Sequence, residues 1–248
     1  MKTQSYLKVF SILFLTWITA HASFAQVSLG GRAGINVGSF RWDEATRNSK
    51  DIGTSSQIGP HVSFVALYEP SSWFGLQAEI QYIQKGAKAS FGCENCQVQN
   101  GTDANGQPQV VTATELDQEL LYKTNYIEVP ILARIRLGGD NFAFNGFLGP
   151  TFGMALSGTS RFSQDLEVQN QQPQNSVNTE KLDFDKDYNR FDIGGLVGAG
   201  FQVAAGPGSI TFDLRYVLGI SNLVKEDDPD ERVKNRSFQI GVGYIVPL

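Results

Sequence analysis

The chain has 248 residues, of which 41% are hydrophobic, with 26 glycines and 17 phenylalanines. That apolar content is too low for a bundle of membrane helices, and after the N-terminus no apolar run reaches the roughly 18 residues a spanning helix needs. A formal charge of −5 offers no basic surface for nucleic acid.

Residues 1–25 read as an export signal. Lys2 and Lys8 flank the start of an apolar run over 9–20, and Ser23-Phe24-Ala25 sets small residues three and one before a cut ahead of Gln26. The alternative is an uncleaved anchor, for which the run is short. No cysteine stands at the cut, which argues against a lipid anchor. The remaining domain, 26–248, then carries 18 basic against 25 acidic side chains, a formal charge of −7.

From Val27 onward, apolar residues alternate with small or polar ones at a period of two, which gives strands with unlike faces. The first strand, 27–40, sets Val27, Leu29, Ala33 and Ile35 against Ser28, Arg32 and Asn36, and a polar stretch over 41–56 follows. The second, 57–68, opposes Ile58, Val62 and Phe64 to Gln57, His61 and Ser63, with Val65 and Leu67 breaking the pattern. Glu69-Pro70-Ser71-Ser72 is a tight turn. The third, 73–89, opposes Leu76, Ile80 and Tyr82 to Gln77, Glu79, Gln81 and Lys85.

Residues 90–119 form a long polar insertion holding Cys93 and Cys96. In an exported chain this spacing reads as a local disulfide that staples the loop; metal or redox chemistry and free thiols are the alternatives. The fourth strand, 120–137, carries Ile127, Val129, Ile131 and Ile135 against Glu128, Arg134 and Arg136, and turns at 138–140. The fifth, 141–157, shows Phe142, Phe144, Leu148 and Phe152 on one face. A further insertion spans 158–186, and its Gln/Asn run over 169–175 has no reason to pack.

The sixth strand, 187–205, opposes Phe191, Ile193, Val197 and Phe201 to Asp192, Gly194 and Gln202, and turns at 206–208. The seventh, 209–221, opposes Ile210, Phe212 and Leu214 to Thr211, Asp213 and Arg215. A charged loop over 222–235 leads to the eighth, 237–248, with Phe238, Ile240, Val242 and Tyr244 against Gln239, Gly241 and Gly243.

The connections alternate long and short, the strand count is even, and the strands exceed the five or six residues usual in globular sheets. Transmembrane barrels share all of these features. The expected fold is therefore all-β, an eight-stranded antiparallel transmembrane β-barrel with four long external loops and short periplasmic turns. A small bore has room for glycine and a few polar side chains, so the bulky apolar faces belong outside, where only lipid accepts them. A soluble barrel with a greasy interior is the alternative.

Such a bore holds side chains rather than a channel. Its inward charges are expected to form a structural network in which Glu79 and Glu128 face Arg32, Arg134, Arg136 and Arg215, with Asp213 on the same face. His61 and Ser63 share an inward face, which points them away from lipid and against catalysis. The acidic stretch 225–231 lacks the ligand spacing of a calcium loop, so neither metal nor cofactor is expected. Trp42, Tyr68, Trp73, Tyr122, Tyr126, Tyr188 and Tyr244 suit interfacial aromatic girdles.

Several segments carry a family resemblance: Gly30-Gly31-Arg32-Ala33-Gly34-Ile35-Asn36, then Gly75-Leu76-Gln77-Ala78-Glu79-Ile80-Gln81-Tyr82, then Tyr126-Ile127-Glu128-Val129-Pro130. Gly146-Phe147-Leu148-Gly149-Pro150, Phe191-Asp192-Ile193-Gly194 and Gly241-Val242-Gly243-Tyr244 extend it. In order and spacing these resemble the PorT-type outer-membrane β-barrel family of Bacteroidetes. The resemblance implies residence in the outer membrane and brings no catalytic residue. The expectation is a non-enzymatic barrel presenting external loops to a ligand or partner. The alternatives are an accessory part of a protein-secretion or envelope-assembly complex and, third, a lipid-modifying enzyme. Expected partners are outer-membrane lipid and envelope or secretion proteins, not nucleic acid.

Overall fold

The computed structural model describes residues 26–42, 53–102, 107–168, 172, 174–225 and 232–248. The expected export signal, 1–25, and the acidic residues 226–231 lie outside the described residues. The strands are β1 (Gln26–Trp42), β2 (Gly53–Glu69), β3 (Phe74–Thr102), β4 (Pro108–Gly138), β5 (Phe142–Val168), β6 (Gln174–Lys181), β7 (Phe191–Ala205), β8 (Gly208–Gly219) and β9 (Val233–Pro247). Every pairing is antiparallel. Eight of the strands form a ring in the order β1-β2-β3-β4-β5-β7-β8-β9, and β9 returns onto β1 from Ser28↔Pro247 to Trp42↔Val233. Closure leaves the ring without an open edge, as a sheet bathed in hydrocarbon requires.

The alternation read in the sequence sorts the two faces. Phe212, Leu214 and Phe238 are 39%, 49% and 40% exposed on the outside, while Arg32, Glu79 and Gln239 are 4%, 1% and 0% exposed in the bore. Val65 and Leu67, which broke the pattern of the second strand, are buried inward. Glycine keeps the bore wide enough for these side chains. A Cβ on Gly241 would stand 2.6 Å from Nη1 of Arg32, and one on Gly34 would stand 2.6 Å from Nε2 of His61.

At one end the connections are tight: residues 70–73, 139–141 and 206–207. Gly206 adopts φ 61°, a left-handed turn position open to glycine. At the other end the polar insertions are not all loops. Residues 90–119 continue the β3–β4 ladder, pairing from Ser90↔Glu119 to Val98↔Val111. Valine and threonine recur along this stretch, and extending strands already held in register needs no new loop closure. In the insertion over 158–186, β5 runs on to Val168 and β6 folds back on it from Leu166↔Gln174 to Thr159↔Lys181. The sixth ring strand consequently begins at Phe191 rather than at 187.

A spanning strand needs about 9–11 residues. β3, β4 and β5 have 29, 31 and 27, so much of each stands clear of the bilayer. Together with β6 they build an antiparallel sheet beyond the membrane, whose edges among the described residues are β6 and the part of β3 beyond Ser90.

Candidate functional site

The strand alternation delivers charged side chains from opposite walls into one narrow space, where they meet in three tiers. In the middle tier Arg32 of β1 places Nη1 2.9 Å from Oδ1 of Asp213 on β8 and Nη2 3.4 Å from Oε2 of Glu79 on β3. Arg215 of β8 places Nη1 2.7 Å from Oε1 of Glu79 and Nε 2.8 Å from Oδ1 of Asp213. Gln77 donates to Glu79 at 2.6 Å, and Arg32 donates to Gln81 at 2.7 Å and to Gln239 at 3.3 Å. Two guanidinium groups and two carboxylates make the tier neutral. The residual void beside it is about 10 Å³, no more than a single water needs.

Toward the long-strand end lies a second tier. Lys85 of β3 pairs with Glu128 of β4 and, at 3.0 Å, with Oδ2 of Asp192 on β7. Asn235 of β9 donates to the same Asp192 oxygen at 2.8 Å, and Ser221 to its other oxygen at 3.1 Å. Toward the tight turns is a third tier, in which Arg134 donates to Asn145 at 3.0 Å and to Gln202. The second tier has one surplus carboxylate and the third one unpaired cation. Among the described residues the buried charges are Arg32, Lys85, Arg134 and Arg215 against Glu79, Glu128, Asp192 and Asp213, which cancel.

Arg32, Glu79, Asp213 and Arg215 meet as the sequence led one to expect, but three members of the expected network go elsewhere. Glu128 faces Lys85 rather than an arginine: the Gln81↔Glu128 pairing sets it two inward positions from Lys85, whose long side chain covers that distance along the bore. Arg134 meets amides instead of a carboxylate. Arg136 has left the network for the β4–β5 turn, where it donates to Gly139 O at 3.1 Å and approaches Asp140 at 3.7 Å. Lys85 and Asp192 were missed as partners. Each stood on a polar face in the sequence, yet their meeting depends on the shear of the closed ring, which no single strand encodes.

His61 is buried in the bore with Nε2 3.2 Å from the carbonyl oxygen of Ile240, so this nitrogen carries the proton and donates. Cys93 and Cys96 form a disulfide in the extended β3 arm. Tyr68, Trp73 and Tyr244 are exposed near the tight-turn end, as girdle residues would be. Tyr126 is not a girdle residue but lies in the bore, 3% exposed. The side chain of Trp42 lies outside the described residues.

Tyr122 and Tyr188 belong to a cavity at the long-strand mouth. Residues 182–190 cross this mouth as a roof. Leu182 N–H donates to Gly158 O at 3.0 Å, Ala155 N–H to Arg190 O at 2.8 Å and Asn189 N–H to Leu223 O at 2.8 Å. Tyr188 and Val224 form a bridge, and Phe184 packs down on Ile83, Tyr126 and Ala155. Gly158 admits the roof, since a Cβ there would stand 2.6 Å from Cδ1 of Leu182. Beneath the roof is a cavity of about 210 Å³ walled by Phe40, Tyr122, Tyr126, Phe184 and Tyr188, with Lys85 and Asn235 also on its lining. Burial, with the hydroxyl of Tyr122 beside it, pushes the Tyr188 phenol up to about 12. Asp183 opens the roof turn by accepting from the N–H groups of Asp185 and Lys186 at 2.8 and 3.1 Å, which hold its carboxyl below the usual range.

A family model described as outer membrane protein beta-barrel domain matches residues 24–225. The chain belongs to that family. This outer-membrane barrel therefore resides in the outer membrane, and its three described tight turns face the periplasm, with the long arms outside. Among solved structures, the attachment invasion locus protein Ail of Yersinia pestis is 16% identical, with 89% of this chain and 99% of that chain covered and a TM-score of 0.34. Neisserial surface protein A is 13% identical over 90% of this chain and 97% of that one, with a TM-score of 0.37. The outer membrane protease OmpT of Escherichia coli is 9% identical over 90% and 96%, with a TM-score of 0.33. A comparison with curated proteins gives no match.

Proposed function

We propose that this barrel is a non-enzymatic outer-membrane protein, closed through its middle by the ion tiers, that holds an extended segment of a partner protein on its external sheet. The observation that carries this reading is β6. All eight of its side chains are exposed, and among the described residues it pairs with β5 alone, which leaves its other edge of backbone donors and acceptors without a described strand partner. Such an edge templates the addition of a further strand. Against catalysis stands His61, whose ring is turned into the bore and bonded to a backbone carbonyl rather than presented to lipid.

The register supplies a clean test. Ser90 pairs with Glu119 and Thr159 with Lys181, so replacing 91–118 and 160–180 by two-residue turns removes the arms, at the loss of the pairing of Leu120 to Tyr122 with β5, and keeps the ring pairing from Lys123↔Thr159 onward and the backbone contacts of the roof. A photoreactive residue at position 177 should give one discrete protein adduct in whole cells, and the same residue at the lipid-facing position 214 should not. Detergent pull-downs with the full chain should recover that adduct's partner, and pull-downs with the trimmed chain should lose it. Equal recovery by both chains would refute the reading.

The finer assignment to the PorT type, with an accessory role in secretion, rests on the segments Gly30 to Asn36 and Gly75 to Tyr82. That role predicts reduced secreted protein in a deletion strain, restored by the full chain.

A further inference from the structure

The structure points to a second binding site, independent of the external sheet: we propose that the roofed cavity at the outer mouth binds a small neutral ring compound bearing one hydrogen-bond acceptor. Size comes first. A buried apolar cavity of about 150 Å³ accommodates benzene, so about 210 Å³ takes a six-membered ring with a substituent of a few atoms. The walls set the ring. Phe40, Tyr122, Tyr126, Phe184 and Tyr188 surround the space with aromatic surface, which favours stacked or edge-on contact with a flat or apolar ring. The hydroxyls of Tyr188 and Tyr122 bond to each other, which commits one of their two protons.

Lys85 sets the acceptor and the charge. Lys85 is part of the lining, whereas Glu128 and Asp192, which pair with its ammonium, are not. An ammonium has three protons, and two are directed to these carboxylates; the third, with the Tyr126 ring centroid 5.2 Å from Nζ, is the one open to a carbonyl or hydroxyl oxygen. An organic cation entering here would meet the ammonium head-on. An anion would bring a further negative charge to a tier that already has two carboxylates for one lysine. Only a neutral ligand meets neither repulsion, and the apolar walls then favour it over water.

The cavity is also built rather than incidental. Its roof is anchored to β5 at Gly158 and Ala155 and to the segment before β9 at Leu223, and Lys225 Nζ donates to Asp185 O at 2.6 Å. Trimming 91–118 and 160–180 leaves every one of these contacts in place, so failure of the partner reading and failure of this one are distinguishable.

The experiment uses the full chain in lipid nanodiscs with labelled methyl groups. Acetophenone should shift the methyl signals of Leu182, Leu223 and Val233 saturably. Benzoate and benzylammonium, of similar shape but opposite charge, should bind at least tenfold more weakly. Two cavity-filling variants, Leu182→Trp and Leu223→Trp, should each weaken acetophenone at least tenfold while the barrel keeps its heat-resistant gel mobility; if one fails to fold, the other decides. No saturable shift, equal binding by the charged analogues, or unchanged affinity in the folded filled variant would each overturn the proposal.

Discussion

Arg215 on β8 and Glu79 on β3 meet at 2.7 Å across the full width of the bore, between strands that stand four places apart in a ring of eight. Glu79 also receives Arg32, so removing its carboxylate leaves two guanidinium groups sharing Asp213 alone. Glu79→Ala should cost about 3–5 kcal/mol, the range for breaking a buried pair. Glu128→Ala should also lower the stability, but by less, because Lys85 keeps Asp192 and its tier loses a surplus negative charge. Urea unfolding in lipid vesicles checks the order. An equal or larger loss for Glu128→Ala would contradict the tier assignment.

Leu214, 49% exposed midway along β8, looks into lipid. Leu214→Arg should cost about 2–4 kcal/mol if it sits near the bilayer midplane, while Leu214→Val should change little. Folding yield and urea midpoints in vesicles measure both. A neutral arginine here would mean that the outer face does not meet hydrocarbon.

The roof should respond to alkali. Tyr188 is neutral in the folded roof, and its pKa is raised from 10.0 to about 12 by burial and then by Tyr122. Its contribution is fully present below the free phenol value and is lost as pH rises through the folded one. Methyl signals of Leu182 and Leu223 should therefore hold steady to pH 10 and move between about 10 and 12. Tyr188→Phe should remove the part of that movement due to this phenol, and persistence of the full change in the variant would exclude Tyr188 as its source.

Much of the ring was legible because a period of two needs no tertiary information. Phe212 and Asp213 declare opposite faces by adjacency alone, and alternating connection length fixed which end carries the arms. What escaped the sequence depends on register and closure. Lys85 and Asp192 come from β3 and β7, brought together by ring shear, and nothing local to either residue signals the other. Polar side chains mark the external hairpins as loops in the sequence, yet a ladder in water needs no greasy face once its strands are aligned. Residue type alone makes Tyr126 and Tyr188 girdle aromatics, whereas their positions in the fold wall a cavity.

The seam between β1 and β9 has a consequence for biogenesis. The earliest and latest of the described strands to leave the ribosome are zipped together over fifteen register positions, Ser28 to Trp42 against Val233 to Pro247. Until that seam forms, each of the two strands would expose one edge of unsatisfied backbone to hydrocarbon, so a chain without β9 has no stable place in the bilayer. Closure must therefore wait for β9, and the unassembled chain has to be kept from aggregating in the periplasm during that interval.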